Sequence, residues 1–300
     1  MAKIKRILCP VDLSEFSHHA LDHARALAQW YEADITVLNV FTVPLPLTPT
    51  PGIAEAYPPL PFPQPQAIAE EVRRFCGIGD SRQDARVTVV VIEGTPAKEI
   101  VRHAETLPAD LLVMGTHGRG GFERLFLGSV TEKVLRSTHV PVLTVPPPVE
   151  RVETVLYRTI LCPTEFSDPS TRALEYALTL AEETDARLIL LHVIESVIDP
   201  SQLREVSHFS VPEYTAHIER EARARLKSAL PEEARVWCHP EERVVFGKAY
   251  RVILQVAEEL NADLIVMGVH GKGALNRRLF GSTTHHVIRE ARCPVLTLRG

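Results

Sequence analysis

The stretch GTHGRGGFERLFLGS, residues 115–129, decides how this chain folds, because it combines an unusual glycine spacing with its neighbours on both sides. It follows the apolar run DLLVM at 110–114, which is typical of a buried strand, and it leads into a helical pattern near Ser129. The same glycine spacing returns as GVHGKGALNRRLFGS at 268–282. A strand, a glycine-rich turn and a helix are therefore predicted twice in one chain.

The repeat extends over both halves of the chain with a constant offset of 153 residues. ILCPVDLSEFS at 7–17 aligns with ILCPTEFSDPS at 160–170, and PVLTV at 141–145 aligns with PVLTL at 294–298. A constant offset over most of the length indicates two copies of one domain with few net insertions.

The predicted boundaries follow from the prolines. The run PPPVE at 146–150 continues neither a helix nor a central strand, so we place a linker at 148–154 between domains at 1–147 and 155–300. The first domain carries a proline-rich insertion at 44–65, with nine prolines, which we interpret as a surface excursion.

Within each copy, apolar runs with strand character alternate with helical periodicity. Five strands and four helices per copy predict an α/β fold of two Rossmann-like domains, each a five-stranded parallel sheet with helices on both faces. The first helix follows RILCPV, with Ser14 or Ser17 as its N-cap. Cys9 and Cys162 lie inside the first strand of each copy, where we expect small core residues.

Composition excludes several classes of function. The net charge of −5 argues against a nucleic-acid partner. No apolar run reaches transmembrane length and the N-terminus lacks a signal-peptide pattern, so we expect a cytoplasmic protein without a membrane partner. The five cysteines form no CxxC pair, which predicts free buried thiols and no metal site.

The glycine-rich turn has the features of a phosphate site. A helix N-terminus presents unpaired N–H groups that suit an anion, and Ser129 adds a hydroxyl there. Gly115 and Gly118 let the backbone approach a ligand or take a positive φ, and Arg119 adds positive charge. The chain has neither a Walker A sequence nor a GxGxxG dinucleotide fingerprint.

The pattern G-x2-G-x9-G-[ST] in this arrangement resembles the universal stress protein family in its tandem two-domain form, over nearly the whole chain. The resemblance implies an adenine nucleotide alpha hydrolase-like fold in which this motif wraps the phosphates and the ribose. It also implies that an aspartate after the first strand, here Asp12, holds the adenosine end of ATP, with or without Mg²⁺.

The positions that the resemblance assigns to binding occur in both copies. Together with the loop cation Arg119, the first copy has Pro10, Val11, Asp12, Val40, Met114, Gly115, His117, Gly118, Gly128, Ser129, Val130 and Thr131. The second copy has Pro163, Glu165, Val193, Met267, Gly268, His270, Gly271, Gly281, Ser282, Thr283 and Thr284. Glu165 departs from the family's aspartate. Its extra methylene is expected to spoil a hydrogen bond tuned for the shorter side chain, and contact through a bridging water is the alternative.

Three functions remain open at this stage. The first is a nucleotide-dependent sensor or regulatory module of the stress response, and the second is a slow ATPase or autophosphorylating protein. The third is an interaction protein with vestigial pockets. No GxSxG elbow or paired-carboxylate constellation is present, which favours binding over catalysis.

The resemblance also implies assembly. It implies that the domains pair through their last strands, VPVLTV and CPVLTL, as an internal pseudo-dimer. A homodimer of whole chains stays open, and no protein partner is indicated.

Two groups of histidines lie close together on predicted helices. His18, His19 and His23 have spacings that include a zinc-like i, i+4 pair, but no further ligand completes a site, so we expect solvated helix residues. His285 and His286 are expected on the surface of the second phosphate-end helix.

Overall fold

The computed structural model describes residues 4–43, 64–78, 86–118, 127–147, 157–195, 211–237, 240–269 and 281–299. The predicted linker at 148–154 and residues 44–63 of the predicted insertion lie outside these ranges, and Pro65 begins a helix. None of the helices within the described ranges combines the length and apolarity that crossing a membrane requires.

The two halves repeat one order of elements. The first half contains β1 (Arg6–Pro10), α1 (Glu15–Tyr31), β2 (Asp34–Phe41), α2 (Pro65–Phe75), β3 (Val87–Glu93), α3 (Pro96–Thr106), β4 (Leu111–Gly115), α4 (Ser129–Ser137) and β5 (Val142–Val145). The second half contains β6 (Thr159–Pro163), α5 (Asp168–Thr184), β7 (Arg187–Ile194), α6 (Val211–Ala229), α7 (Glu232–Trp237), β8 (Glu241–Phe246), α8 (Ala249–Glu259), β9 (Leu264–Gly268), α9 (Ser282–Glu290) and β10 (Val295–Leu298).

All ten strands form one sheet in the order β3-β2-β1-β4-β5-β10-β9-β6-β7-β8. Pairing is parallel within each half, as predicted, and β5 pairs with β10 in an antiparallel manner. The expected α/β class with two Rossmann-like repeats is therefore confirmed. Because the two halves run in opposite directions, the carboxyl ends of their strands face opposite edges of the sheet.

The seam between the halves is reinforced by a reciprocal pair of threonines. The buried hydroxyl of Thr144 donates to the carbonyl of Val295 at 3.0 Å, and that of Thr297 donates to the carbonyl of Val142 at 3.2 Å. Arg299 reaches across as well and donates to the carbonyl of Thr138 at 3.2 Å. The last strands thus join as the pseudo-dimeric arrangement predicts.

Two hydrophobic cores lie on opposite faces of the sheet. One packs α1, α2, α5 and α6 against the strands, and the other packs α3, α4, α8 and α9. Since both faces are covered, central strands such as β4 (LLVMG) and β9 (LIVMG) are continuously apolar rather than alternating. Cys9 and Cys162 are fully buried in the first core, as predicted. Burial raises the pKa of Cys162 to about 12, so this thiol stays protonated.

Serine N-caps define the first residues of α1 and α5. The side chain of Ser14 accepts from the backbone N–H of Ser17 at 3.2 Å, which confirms one of the two predicted caps. Ser167 does the same for α5 as part of a capping box with Ser170. These caps fix the turns at the carboxyl ends of β1 and β6.

His23 is buried, so the prediction of three solvated histidines on α1 is wrong at this position. Only 7% of the residue is exposed, and its Nδ1 lies 3.0 Å from the hydroxyl oxygen of Tyr157. Tyr157 comes from the second half and covers this face of α1, which no pattern within the helix reveals. Burial lowers the pKa of His23 to about 3, and the neighbouring His19 adds to the effect.

Acid should destabilise the protein through His23. In the unfolded chain a histidine takes up a proton near its ordinary pKa of about 6.5, whereas the folded chain resists protonation until about pH 3. The unfolded state therefore binds more protons between these values, and the free energy of unfolding falls as the pH drops through this window. The contribution of His23 reaches about 1.4 kcal/mol by about pH 5.5.

His23→Gln should flatten this part of the pH dependence, measured by chemical denaturation between about pH 8 and 5.5. The lost contact with Tyr157 changes stability at every pH but not the slope. His18→Gln, on the exposed side of the same helix, is the control and should keep the wild-type slope. Equal slopes in the wild type and His23→Gln would show that the imidazole is accessible to protons in the folded state.

Candidate functional site

A crevice lies outside the carboxyl ends of β1 and β4 in the first half. The strand order reverses between these two strands, since one connection leads outward to β2 and the other to β5. Open α/β sheets form their ligand clefts at such a reversal. The crevice has a volume of about 450 Å³, which is within the range of small-molecule sites.

The structure brings the first-half candidate residues together around this cavity. Those that line it are Pro10, Val11, Asp12, Val40, Met114, Gly115, His117, Gly118, Gly128, Ser129, Val130 and Thr131. Arg119 lies outside the described residues.

Five further lining residues were not anticipated from the sequence: Ser17, Leu38, Pro96, Ile100 and Leu127. Most of them belong to apolar patterns that are as typical of the hydrophobic core as of a cavity wall. Of these five residues, only Pro96 could have been recognised as a lining residue from the sequence. It is the first residue of α3, and a helix that follows a parallel strand begins at the edge of the sheet where ligands bind.

Asp12 is anchored at the N-terminus of α1 through one of its carboxylate oxygens. Its Oδ1 accepts from the backbone N–H of Ser14 at 3.1 Å and from the hydroxyl of Ser14 at 2.5 Å. Its own backbone N–H donates to Oγ of Ser17 at 3.3 Å. Leu13, with a φ of 64°, lets the chain turn sharply between the strand and the helix. These contacts hold Oδ1 of Asp12 at the cavity.

Gly115 and Gly118 lie close to other atoms of the protein, and the expected alternative of a positive φ is wrong for both. A Cβ on Gly118 would lie 2.7 Å from Oδ2 of Asp12, so this glycine makes room for the carboxylate. A Cβ on Gly115 would lie 3.1 Å from the carbonyl oxygen of His117 and 3.2 Å from that of Phe16. The turn therefore packs against itself and against α1.

The N-terminus of α4 presents backbone donors to the cavity. Gly128 is the N-cap and has no side chain with which to cap the helix. The N–H groups of Ser129, Val130 and Thr131 precede the first intrahelical bond and have no acceptor within the helix. Thr131 ties the helix to β4 by donating its hydroxyl to the carbonyl of Gly115 at 2.8 Å. Such an array of N–H groups suits an anion.

His117 lines the same cavity and is 8% exposed. Its Nδ1 lies 2.9 Å from the hydroxyl oxygen of Thr116, and its ring centre lies 5.7 Å from that of Phe16. These contacts fix the orientation of the imidazole beside the glycine turn.

The second half repeats this framework. Pro163 ends β6, Val193 lies in β7, Met267 and Gly268 end β9, Gly281 caps α9, and Ser282, Thr283 and Thr284 form its first turn. The hydroxyl of Thr284 donates to the carbonyl of Gly268 at 3.1 Å, as Thr131 does to Gly115. His270 and Gly271 lie outside the described residues.

Glu165 reproduces only part of the anchoring of Asp12. Its Oε1 accepts from the hydroxyl of Ser167 at 3.0 Å, which matches the contact of Asp12 with Ser14. The backbone contact differs, since the N–H of Ser167, which is equivalent to Ser14, donates to Oγ of Ser170 at 2.9 Å. The longer side chain thus keeps the hydroxyl contact, while Ser170 accepts the backbone N–H that Asp12 accepts in the first half.

His285 and His286 are partly exposed on α9, which packs beside α8. Burial lowers the pKa of His285. The ring of His286 stacks on Tyr250 with centres 4.4 Å apart. Within the described ranges, no three His, Cys, Asp or Glu side chains gather to hold a metal ion.

Comparison with known proteins identifies the family. The model of the universal stress protein family matches residues 3–146 and 156–299, so the chain belongs to this family in a tandem arrangement. Universal stress protein Rv2005c of Mycobacterium tuberculosis is 26% identical over 289 residues, covering 91% of this chain and 92% of that protein. Universal stress protein MJ0531 of Methanocaldococcus jannaschii is 36% identical over 145 residues, covering 48% of this chain and 83% of that protein.

The fold has a solved counterpart. The crystal structure of a universal stress protein from Archaeoglobus fulgidus matches with a TM-score of 0.64 and 25% sequence identity. The match covers 99% of this chain and 97% of that one, so both halves and their arrangement are included.

Two glycines of the repeated framework should respond differently to alanine. A Cβ on Gly268 would lie 2.8 Å from the carbonyl carbon of Pro169, which is backbone and cannot move away. Gly268→Ala should lower the free energy of unfolding by about 2 kcal/mol, the cost of an overpacked core. At Gly118 the obstacle is the end of the Asp12 side chain, so Gly118→Ala should stay within about 0.5 kcal/mol of the wild type.

Both variants are measured by guanidinium denaturation at the same pH. Equal losses in the two variants would contradict the distinction between a rigid backbone obstacle and a movable carboxylate.

Proposed function

We propose that the first-half crevice binds an adenine nucleotide, with ATP as the ligand, and that the protein acts as a nucleotide-responsive binding module in the cytoplasmic stress response. The observation that carries the proposal is the shape of the crevice. Backbone donors of α4 lie at one part of its wall, the anchored carboxylate of Asp12 lies at another, and apolar side chains line the rest.

Each part of a nucleotide can be matched to chemically complementary groups in the lining of the crevice. The phosphates fit the N–H groups of Ser129, Val130 and Thr131, where the helix dipole also favours negative charge. The hydroxyls of a ribose fit Asp12, because an ionised carboxylate accepts hydrogen bonds and donates none.

The base fits the apolar wall formed by Leu38, Val40 and Ile100. These side chains come from β2 and α3 and are part of the second hydrophobic core, so the wall is preformed. Small-molecule sites are commonly apolar clefts with a few polar groups that fix the orientation of the ligand.

The second half is proposed as a further nucleotide site with altered affinity. It retains the helix N-terminus at Gly281 and the tie from Thr284 to Gly268. Glu165 replaces the aspartate and makes a different set of contacts, so its affinity should differ from that of the first site.

The role proposed for the nucleotide is to stabilise one conformation or assembly of the protein. This requires the nucleotide to bind that state more tightly than its alternative, since equal affinities shift no equilibrium. Arg119 is proposed to add positive charge near the phosphates, and Mg²⁺ is proposed to accompany ATP.

Isothermal titration of the full chain with ATP tests the proposal. We expect saturable binding, and Asp12→Ala should weaken the tighter site by at least about tenfold through the loss of charge-assisted hydrogen bonds. Glu165→Ala is the matched control in the second half and should leave the affinity of the tighter, first-half site unchanged. AMP and cAMP should bind the wild type more weakly than ATP, because they offer fewer phosphate oxygens to α4.

Absence of ATP binding by the wild type would overturn the proposal, as would equal effects of the two variants on the tighter site. Incubation with ATP and Mg²⁺ separates binding from hydrolysis. Recovery of intact ATP agrees with a binding module, whereas ADP formation that Asp12→Ala abolishes would support the slow ATPase instead.

A further inference from the structure

A second cleft lies in the second half, between α5 and α6 and away from the phosphate-end helix α9. Its volume is about 400 Å³, again within the range of small-molecule sites. Its wall includes Phe166 from the β6–α5 turn, Thr171 and Leu174 from α5, and Ala224, Arg225 and Ala229 from α6.

The cleft exists because the two halves differ in side-chain size at this place. In the first half, the rings of His18 on α1 and Phe75 on α2 pack edge to face with centres 5.3 Å apart. The repeat aligns His18 with Thr171, and the end of α6, where Ser228 and Ala229 line the cleft, corresponds to the end of α2, where Phe75 lies. Among the described residues, small side chains thus replace both rings and leave the space between the helices open.

A cation lies over the aromatic part of this cleft. The guanidinium carbon of Arg225 is 4.6 Å from the ring centre of Phe166. Stacking on a ring satisfies the face of a guanidinium and leaves its N–H edges available for hydrogen bonds. Phe166 in turn packs against the ring of His192, with centres 4.6 Å apart, which fixes the position of the phenyl ring.

The acidic side chains nearest in sequence on α6 are engaged elsewhere. Glu219 pairs with Arg223 at 2.7 Å, and Glu221 lies 3.4 Å from His217. Arg225 forms no hydrogen bond or ion pair with another residue in the described parts of the chain. Its positive charge is therefore available to a ligand in the cleft.

We propose that the α5–α6 cleft binds a small organic carboxylate with an aromatic or short aliphatic body. A guanidinium matches a carboxylate with two parallel hydrogen bonds. The side chain of Leu174 and the methyl groups of Ala224 and Ala229 provide an apolar surface for the rest of the molecule. This cleft is separate from the first-half nucleotide crevice, and Thr164 and Phe166 in its wall flank Glu165 of the proposed second nucleotide site.

Benzoate is the probe, titrated into the full chain and followed by ligand-observed NMR. We expect saturable binding to the wild type. Arg225→Gln should weaken it by about tenfold, because a charge-assisted pair is lost. Ala229→Phe should abolish it by restoring the ring that fills this space in the first half. Arg223→Gln changes a neighbouring arginine that is paired with Glu219 and should leave benzoate binding unchanged.

Several results would overturn the proposal. These are the absence of saturable benzoate binding to the wild type, binding that neither Arg225→Gln nor Ala229→Phe reduces, and equal displacement of benzoate by inorganic phosphate, which lacks an apolar body. Arg225 is exposed, so Arg225→Gln keeps the fold and the test remains decisive if Ala229→Phe does not fold. ATP binding should be the same in all variants, which separates this site from the nucleotide crevice.

Discussion

The antiparallel pairing of β5 with β10 is the interaction on which the arrangement of this protein depends. Each half alone would end in an open strand edge at this place, and an open edge is prone to pair with another chain. Pairing within the chain joins two parallel half-sheets into one sheet of ten strands. Thr144 and Thr297 add a reciprocal hydrogen bond across the seam. One consequence is that the two carboxyl edges, and the candidate sites on them, face opposite ways.

Within each half, the crevice depends on the reversal of strand order between the first strand and its neighbour β4 or β9. The reversal separates the helices that follow these strands and leaves room at their carboxyl ends. It brings Asp12 beside Gly118, although more than a hundred residues separate them in the chain. The carboxylate and the glycine turn thus form one unit, in which the absence of a side chain at 118 makes room for the acid.

The two copies have kept the same backbone and diverged in side chains. Leu13 and Phe166 take nearly the same positive φ, and Thr131 and Thr284 make the same tie to the preceding strand. The differences concern what can be bound. Glu165 is anchored through one hydroxyl and lacks the backbone contact of Asp12, and the second half has a cleft where the first half packs two rings.

Most of the fold could be predicted from the sequence because it depends on local patterns, and much of the candidate site could be predicted because its motif resembles that of a known family. Apolar runs define strands buried on both faces, serine caps such as Ser14 define helix starts, and a constant offset defines the duplication. The residues that end β1 and β4 were assigned to one site by the resemblance to a known family, and the structure places them around one cavity. The elements of the fold need only a few neighbouring residues to be recognised, whereas this site assignment came from the motif of the whole family.

The sequence by itself determined the class of the fold, its repetition and the residues at the ends of its strands. The tertiary structure alone decided the environment of each side chain. His23 is buried because Tyr157, from the other half, lies against it, and Leu38 and Ile100 line the cavity although their patterns predict only core. The physical reason is that periodicity and capping act within one turn or one strand. Burial, close approach and pKa depend on segments that are distant along the chain.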